Sequence, residues 1–479
     1  MTKLVEEVQN EKGKEKKIIT TTNPATEEVL NEYQIISKEK INATAKKAKN
    51  AFYEWKNNIN KRIDFIHDFA KELRKNKENL AKTATNEMGK VIKESKSEIE
   101  KCALVMEYFA DNGEIFMKDE VINTDARKTV VSFQPIGVIA SIMPWNFPYW
   151  QALRFAAPSL MVGNTIILKP ASATMQCGIE IENIFNNIGL PEGVFKTLIG
   201  NSSIVETLID STDVNAVTFT GSVSVGAKVA QRATSQIKKC VLELGGSDPF
   251  VVCDDADIEK ASTGAVKGRF INCGQSCIAS KRFIITKKIS KGFIEKFVQK
   301  TEKLKLGDPL SEETEIGPLV NRNGLENIES VVKDSLKNGA EILTGGERIK
   351  DKGYFYKPTI IKNVSSQMRI AQEEVFGPVA PIITVDNESE AIKLANDTQY
   401  GLGASIWTQD LDKAERFSKL IEAGVVTVNN VVASDPRIPF GGVKKSGFGR
   451  ELSRYGMLEF VNIKSVRLYD KLVDHHHVE

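Results

Sequence analysis

Cys277 lies in Phe270-Ile-Asn-Cys-Gly-Gln-Ser-Cys277-Ile-Ala-Ser-Lys-Arg282, among small polar residues and just before two cations. Thiolate is the reactive form of cysteine, and neighbours such as Lys281 and Arg282 carry the sign that lowers a thiol's pKa. On residue types alone, Cys277 is either a nucleophile or a packed loop thiol. Leu242-Glu243-Leu244-Gly245-Gly246 embeds one carboxylate in an apolar strand that breaks at two glycines. Glu243 is then either structurally paired or held at raised pKa as a base. Pro144-Trp145-Asn146-Phe147-Pro148 is a rigid aromatic turn, and the Asn146 amide offers donors of the kind that suit a developing oxyanion. In Phe219-Thr-Gly221-Ser222 a strand ends where a helix starts, so Gly221 and Ser222 either face an anion or form an ordinary N-cap.

Other chemistries fit poorly. Six cysteines are too few and scattered for a disulfide scaffold, and Cys273 with Cys277 lacks the second pair that a zinc site needs. Cys273 itself is read as a packed thiol. Three of four histidines form the run His475–His477, to which no function is assigned. His67, in the helical stretch Asp64–Lys75, is read as a surface helix residue, so Cys-His and Ser-His dyads are disfavoured. There is no G-x-G-x-x-G and no Walker lysine loop. Lys plus Arg (65) nearly balances Asp plus Glu (63), which gives no electrostatic reason to expect nucleic acid or membrane as partner. The apolar stretches Pro135–Trp145 and Phe155–Leu168 are too short to span a bilayer. Met1–Thr20 is charged throughout, so no leader and a cytoplasmic location are expected.

The elements that must position these residues follow from periodicity. Met1–Lys17 reads as a loose end and Thr22–Glu27 as a turn between two short strands. Ile41–Lys56, Arg62–Lys75, Glu78–Met88 and Lys90–Phe116 have helical spacing. From Val138 onward strands and helices alternate through Thr165–Leu168, Met175–Ile188, Ala216–Phe219, Ser224–Ala233 and Lys239–Leu244, the rhythm of a doubly wound parallel sheet. A second α/β series runs from Phe250 to Asn429. The last strand, Val461–Leu468, has no obvious partner nearby and is expected to pair with another subunit.

Seven ordered blocks resemble the aldehyde dehydrogenase superfamily over nearly the whole chain: PWNFP, ILKPAS (Ile167–Ser172), FTGSVSVG, LELGGSDPF, GQSC, EEVFGP (Glu373–Pro378) and PFGGVKKSGFGRE (Pro439–Glu451). The resemblance implies Cys277 as nucleophile, an oxyanion held by Asn146 and the Cys277 N–H, and Glu243 activating water to hydrolyse a thioester. It implies a cofactor bound by Trp145, Lys169, Ser172, Gly221, Ser222, Glu374 and Phe376. It also implies an α/β fold with a Rossmann-like cofactor domain (1–116 and 136–245), an α/β catalytic domain (246–438) and a β oligomerisation arm (117–135 and 461–479). Segment 439–460 would return to the cofactor domain, and the assembly would be a homodimer or homotetramer.

Within the superfamily the chain looks most like succinate-semialdehyde dehydrogenases. Arg154 stands where some of these place the cation for a substrate carboxylate and is read either so or as the salt-bridge partner of a neighbouring carboxylate, with Trp150 and Phe270 as expected tunnel walls and Ser434 as a hydrogen-bond donor. The second arginine of other semialdehyde enzymes is Ile271 here. Ser172 replaces a glutamate often found in NAD-selective members; it would not repel a 2′-phosphate, so NADP is expected, with NAD possible. Glyceraldehyde-3-phosphate or lactaldehyde as substrate, and a non-catalytic family member, are the alternatives.

Overall fold

The computed structural model describes residues 18–349 and 352–470; the expected loose N-terminal end and the histidine run lie outside them. Ile18–Thr22 and Val29–Gln34 pair as an antiparallel hairpin. Helices Lys38–Trp55, Ile59–Lys75, Lys77–Met88 and Ile92–Phe116 follow. Ser37 and Asn58 start the first two by accepting from the Lys40 and Lys61 N–H groups. Gly89, at φ +81°, ends the third in the left-handed conformation that glycine adopts without penalty. His67 lies on the second helix and meets Asp111 at 3.0 Å.

A fifth helix, Pro148–Val162, is buried along its whole length. No side chain of its own caps it. Glu98 of the preceding helix supplies the cap, accepting from the N–H groups of Tyr149 (3.0 Å) and Trp150 (2.8 Å). The same carboxylate forms an ion pair with the buried Lys90. An anion at a helix N-terminus complements both the orphan N–H groups and the dipole.

Against these helices lies a six-stranded sheet in the order Gly447–Phe448, Lys239–Glu243, Ala216–Thr220, Val138–Ile142, Thr165–Lys169, Phe195–Thr197. It is parallel except for the short first edge. From Val138–Ile142 the chain winds to one side and then returns to place Ala216–Thr220 on the other. The crevice between these two strands, at their carboxyl ends, is the switch point where such sheets bind ligands. A seven-stranded sheet holds the second core, in the order Glu341–Thr344, Thr359–Lys362, Val379–Val385, Ser280–Thr286, Asp248–Val252, Gly403–Trp407, Val425–Val428. Phe250, Phe283, Phe293, Phe297 and Trp407 form its aromatic centre.

The third sheet corrects one expectation. Val461–Leu468 pairs along its full length with Lys128–Pro135 of the same chain, and Glu120–Ile122 completes the arm. The partner lies far upstream, where local reading does not find it. No helix among the described residues is long and apolar enough to cross a membrane.

Glu98→Ala is expected to cost about 3–5 kcal/mol, because it strands the buried Lys90 ammonium and uncaps the fifth helix. Thermal unfolding followed by circular dichroism checks this against Leu104→Ala, an exposed change on the same helix expected to cost less than about 0.5 kcal/mol.

Candidate active site

The loop that carries Cys277 joins helix Ile258–Phe270 to strand Ser280–Thr286. It begins with consecutive left-handed residues, Asn272 (φ +49°), Cys273 (φ +56°) and Gly274 (φ +72°). For a non-glycine residue that conformation costs roughly 1–2 kcal/mol, so the surroundings must over-determine it. The Asn272 N–H donates to Glu94 (2.9 Å), and its side-chain amide donates to the Asn146 carbonyl (2.8 Å). Buried Arg269 donates to the carbonyls of Gly274 (3.0 Å), Ser280 (2.9 Å) and Val375 (3.2 Å). Gln275 accepts from the Val320 N–H at 2.9 Å. Cys273 is buried beneath the loop, and its thiol is pushed up to about 12 by burial.

Cys277 is half-buried at the inner end of a cavity of about 300 Å³. Burial pushes its thiol up to about 12. Lys281 and then Arg154 oppose that shift, while Glu374 and Glu243 reinforce it. Of the two cations expected to acidify it, only Lys281 does so. Arg282 turns away to the carbonyls of Ser247, Leu394 and Ala395. Asn146 donates one N–H to the Gln275 carbonyl (3.1 Å), which orients its amide beside the loop. Glu243 ends its strand buried, with one carboxylate oxygen lacking a hydrogen-bond partner. Burial, and next the neighbouring Glu451 carboxylate, hold it well above the usual carboxylate range. A carboxylate so raised is a stronger base than one in water.

The residues expected to bind a cofactor gather at the carboxyl ends of the parallel strands. Trp145 follows Val138–Ile142, Lys169 ends Thr165–Lys169 with Ser172 just beyond, and Gly221 and Ser222 follow Ala216–Thr220. Ser222 starts helix Val223–Thr234 without a side-chain cap bond, so the first N–H groups are left for a ligand. Across the crevice, Phe376 meets Trp145 edge-on at 5.7 Å, and Glu374 accepts from the Gly246 N–H at 3.0 Å. A helix N-terminus, a buried lysine and a carboxylate at the switch point fit a dinucleotide, with a hydroxyl at Ser172. Among the described residues, no cluster of three or more His, Cys, Asp or Glu is arranged to hold a metal ion.

The cavity wall shows the salt-bridged alternative for Arg154 and corrects the expectation for Phe270. Arg154 lines it but is ion-paired with the equally buried Glu451 and lies 4.7 Å from the Phe440 ring centre. Its charge is already compensated within the fold. Phe270 is absent from the wall; it packs towards Phe297 in the second core, and Ile271 lines the cavity instead. Trp150 and Ser434 do line it. Sequence reading missed Lys101. This largely buried lysine lines the cavity, donates to the Ser434 hydroxyl (2.7 Å) and sits 4.2 Å from the Trp150 ring centre. Burial, and next the Arg154 charge, lower its pKa to about 8. Ser434 accepts from Lys101 and keeps its own O–H to donate. Glu94 also lines the cavity, and burial raises its carboxyl to about 7.

Residues 10–466 match the model of the aldehyde dehydrogenase family. The probable succinate-semialdehyde dehydrogenase (NADP(+)) of Synechocystis is 44% identical, covering 94% of this chain and 99% of that protein. The succinate semialdehyde dehydrogenase (NAD(P)+) Sad of Escherichia coli is 41% identical, covering 93% of this chain and 96% of its own. The structure of succinic semialdehyde dehydrogenase from Streptococcus pyogenes in complex with NADP+ superposes with a TM-score of 0.92 at 34% identity, covering 94% of this chain and 100% of that one.

Arg154→Met is expected to destabilise the fold by about 3–5 kcal/mol, because Glu451 is left buried without its counter-ion. Arg154→Met/Glu451→Gln should recover more than half of that loss. Urea unfolding of the two variants and the parent measures both.

Proposed function

Because the chain belongs to the aldehyde dehydrogenase family, we propose that it oxidises succinic semialdehyde to succinate with NADP+, and accepts NAD+ less well. The observation that carries the substrate is the cation in the cavity that also contains Cys277. Lys101, bonded to a hydroxyl and an indole face, is available to a ω-carboxylate in a way that the Glu451-paired Arg154 is not. The names of the relatives support the same aldehyde, and the NADP+ in the Streptococcus structure supports the cofactor.

The chemistry runs on Cys277. Its Sγ gives its proton to the Glu243 carboxylate, which passes it to solvent, and attacks the aldehyde carbon; the resulting oxyanion accepts from the remaining Asn146 N–H and the Cys277 backbone N–H. When bound, the oxidised nicotinamide supplies the hydride acceptor. Loss of hydride from the thiohemiacetal carbon leaves a thioester on Cys277. Glu243 then takes a proton from water, whose oxygen attacks the acyl carbon and frees the thiol. Lys169 and Glu374 would hold ribose hydroxyls, with Gly221 and Ser222 at the pyrophosphate, Trp145 and Phe376 beside the nicotinamide, and Ser172 tolerating a 2′-phosphate.

The exposed Val121, Ile122, Ile463 and Leu468 on the three-stranded arm support a homo-oligomer built through that sheet. We place the enzyme in the cytoplasm, in keeping with its even charge and ordinary composition.

Absorbance at 340 nm with succinic semialdehyde and NADP+ tests the activity. Cys277→Ala should lower the rate at least about a thousandfold, and Ser172→Glu should turn the cofactor preference towards NAD+. Turnover confined to neutral or phosphorylated aldehydes would sink the semialdehyde assignment. A lysine is cationic below its pKa, so the anchor is lost as pH rises through about 8. The kcat/KM ratio for succinic semialdehyde over butyraldehyde should therefore fall as pH rises through about 8, beyond any change that Glu94 causes near pH 7. In Lys101→Met the ratio should be lower by about tenfold or more and should lose the fall near pH 8.

A further inference from the structure

Lys281 has no part in the mechanism above, yet its surroundings are specific. Its side chain is 1% exposed. The ammonium donates to the carbonyls of Ser276 (2.8 Å) and Cys277 (2.6 Å) and faces the Glu374 carboxylate at 3.4 Å. A third, longer bond goes to the Ala279 carbonyl (3.5 Å), so the N–H groups serve the loop that carries the thiol while the charge faces the carboxylate read here as a ribose ligand. That carboxylate is held in turn by the Gly246 N–H at 3.0 Å. The strand Ser280–Thr286 fixes the lysine's backbone, so the clamp is anchored in the second sheet.

We propose that Lys281 is a positioning residue that ties Cys277 to Glu374: it clamps the nucleophile's peptide and divides one positive charge between the thiol and the carboxylate. The proposal rests on Cys277 being the nucleophile and Glu374 a cofactor ligand. It follows that whatever draws Glu374 away from Lys281 leaves more of the ammonium's field on the thiol. The charged groups acting on Cys277 are Lys281 and Arg154, which favour thiolate, and Glu374 and Glu243, which oppose it. Asp248 and Glu374 are the carboxylates that feel Lys281 from the adjoining strand and loop.

The test is alkylation of Cys277 by iodoacetamide in the full chain, without cofactor or substrate, between pH 7 and 10. Mass spectrometry of the Cys277 peptide reads the rate and separates it from the other five cysteines. Lys281→Met should slow the reaction about tenfold at each pH below the thiol's midpoint, equivalent to raising that midpoint by about one unit. Glu374→Gln keeps the side chain's shape and should act oppositely, speeding alkylation by about three- to tenfold. A purely structural clamp would be satisfied by Lys281→Gln, which keeps an N–H donor, whereas loss of the charge slows alkylation in Lys281→Gln as it does in Lys281→Met. Superimposed profiles for Lys281→Met and the parent, or slower alkylation in Glu374→Gln, would overturn the proposal. If Lys281→Met does not fold, Lys281→Gln, which keeps an N–H donor beside the buried carbonyls but no charge, decides by the same slowing. The readout needs no turnover, so a wrong substrate assignment and a wrong role for Lys281 give different results.

Discussion

Consecutive left-handed residues at Asn272 and Cys273 are the constraint on which the site depends. Each is disfavoured by roughly 1–2 kcal/mol, and hydrogen bonds contribute only about 0.5–1.5 kcal/mol net. Several bonds must therefore converge to hold the loop. They come from separate parts of the chain: Glu94 from the helical layer, Asn146 from the turn after the first parallel strand, and Arg269 from the preceding helix. Arg269 also grips the Val375 carbonyl, one residue after Glu374. Cys277 reaches its place only when the helical layer, the first sheet and the Glu374 loop are all assembled. The same bonds set the cavity wall and the cofactor crevice in register with the thiol.

Buried charge is handled in two ways around this loop. Lys90 with Glu98, and Arg154 with Glu451, are ion pairs buried inside the fold. Separating such a pair is costly, so neither member is free to serve a passing ligand. Lys101 is different: its partners are a neutral hydroxyl and a ring face, and it bears the desolvation cost that its lowered pKa records. A ligand carboxylate would repay that cost on binding. Recognition of a charged substrate thus falls to the cation that the fold has left incompletely compensated.

Much of the strand framework was legible because parallel strands read as short apolar runs ending in glycine or polar turns, and the candidate residues cluster at those ends. Helix Pro148–Val162 was not legible. It is buried on every face and mostly apolar, so it has no clear 3.6-residue stripe, and its cap comes from Glu98 in another helix. Phe270 and Ile271 show a second limit. A motif fixes the neighbourhood of a residue but not its direction, and at a helix end one step turns the side chain by about 100°. Arg154 and Lys101 show a third, since their environments are set by Glu451 and Ser434, both far along the chain. In its Lys- and Glu-rich helix, Lys101 resembles any solvated cation; only the tertiary fold reveals that it faces a cavity.

The two groups proposed to carry the chemistry are both biased towards their neutral forms by burial, the Cys277 thiol and the Glu243 carboxyl alike. At first sight that opposes catalysis by a thiolate. The relevant quantity is the difference between them. In the molecules where Glu243 is ionised, moving the thiol proton to it creates one anion and removes another, so desolvation largely cancels, and a raised carboxylate narrows the gap that separates the two acids in water. A neutral thiol at rest is also less open to oxidation and alkylation than a standing thiolate. Reactivity then depends on what enters the crevice and the cavity, because any added positive charge near Lys281, or any partner that occupies Glu374, shifts the balance towards thiolate. A site built this way is unreactive until its ligands complete it.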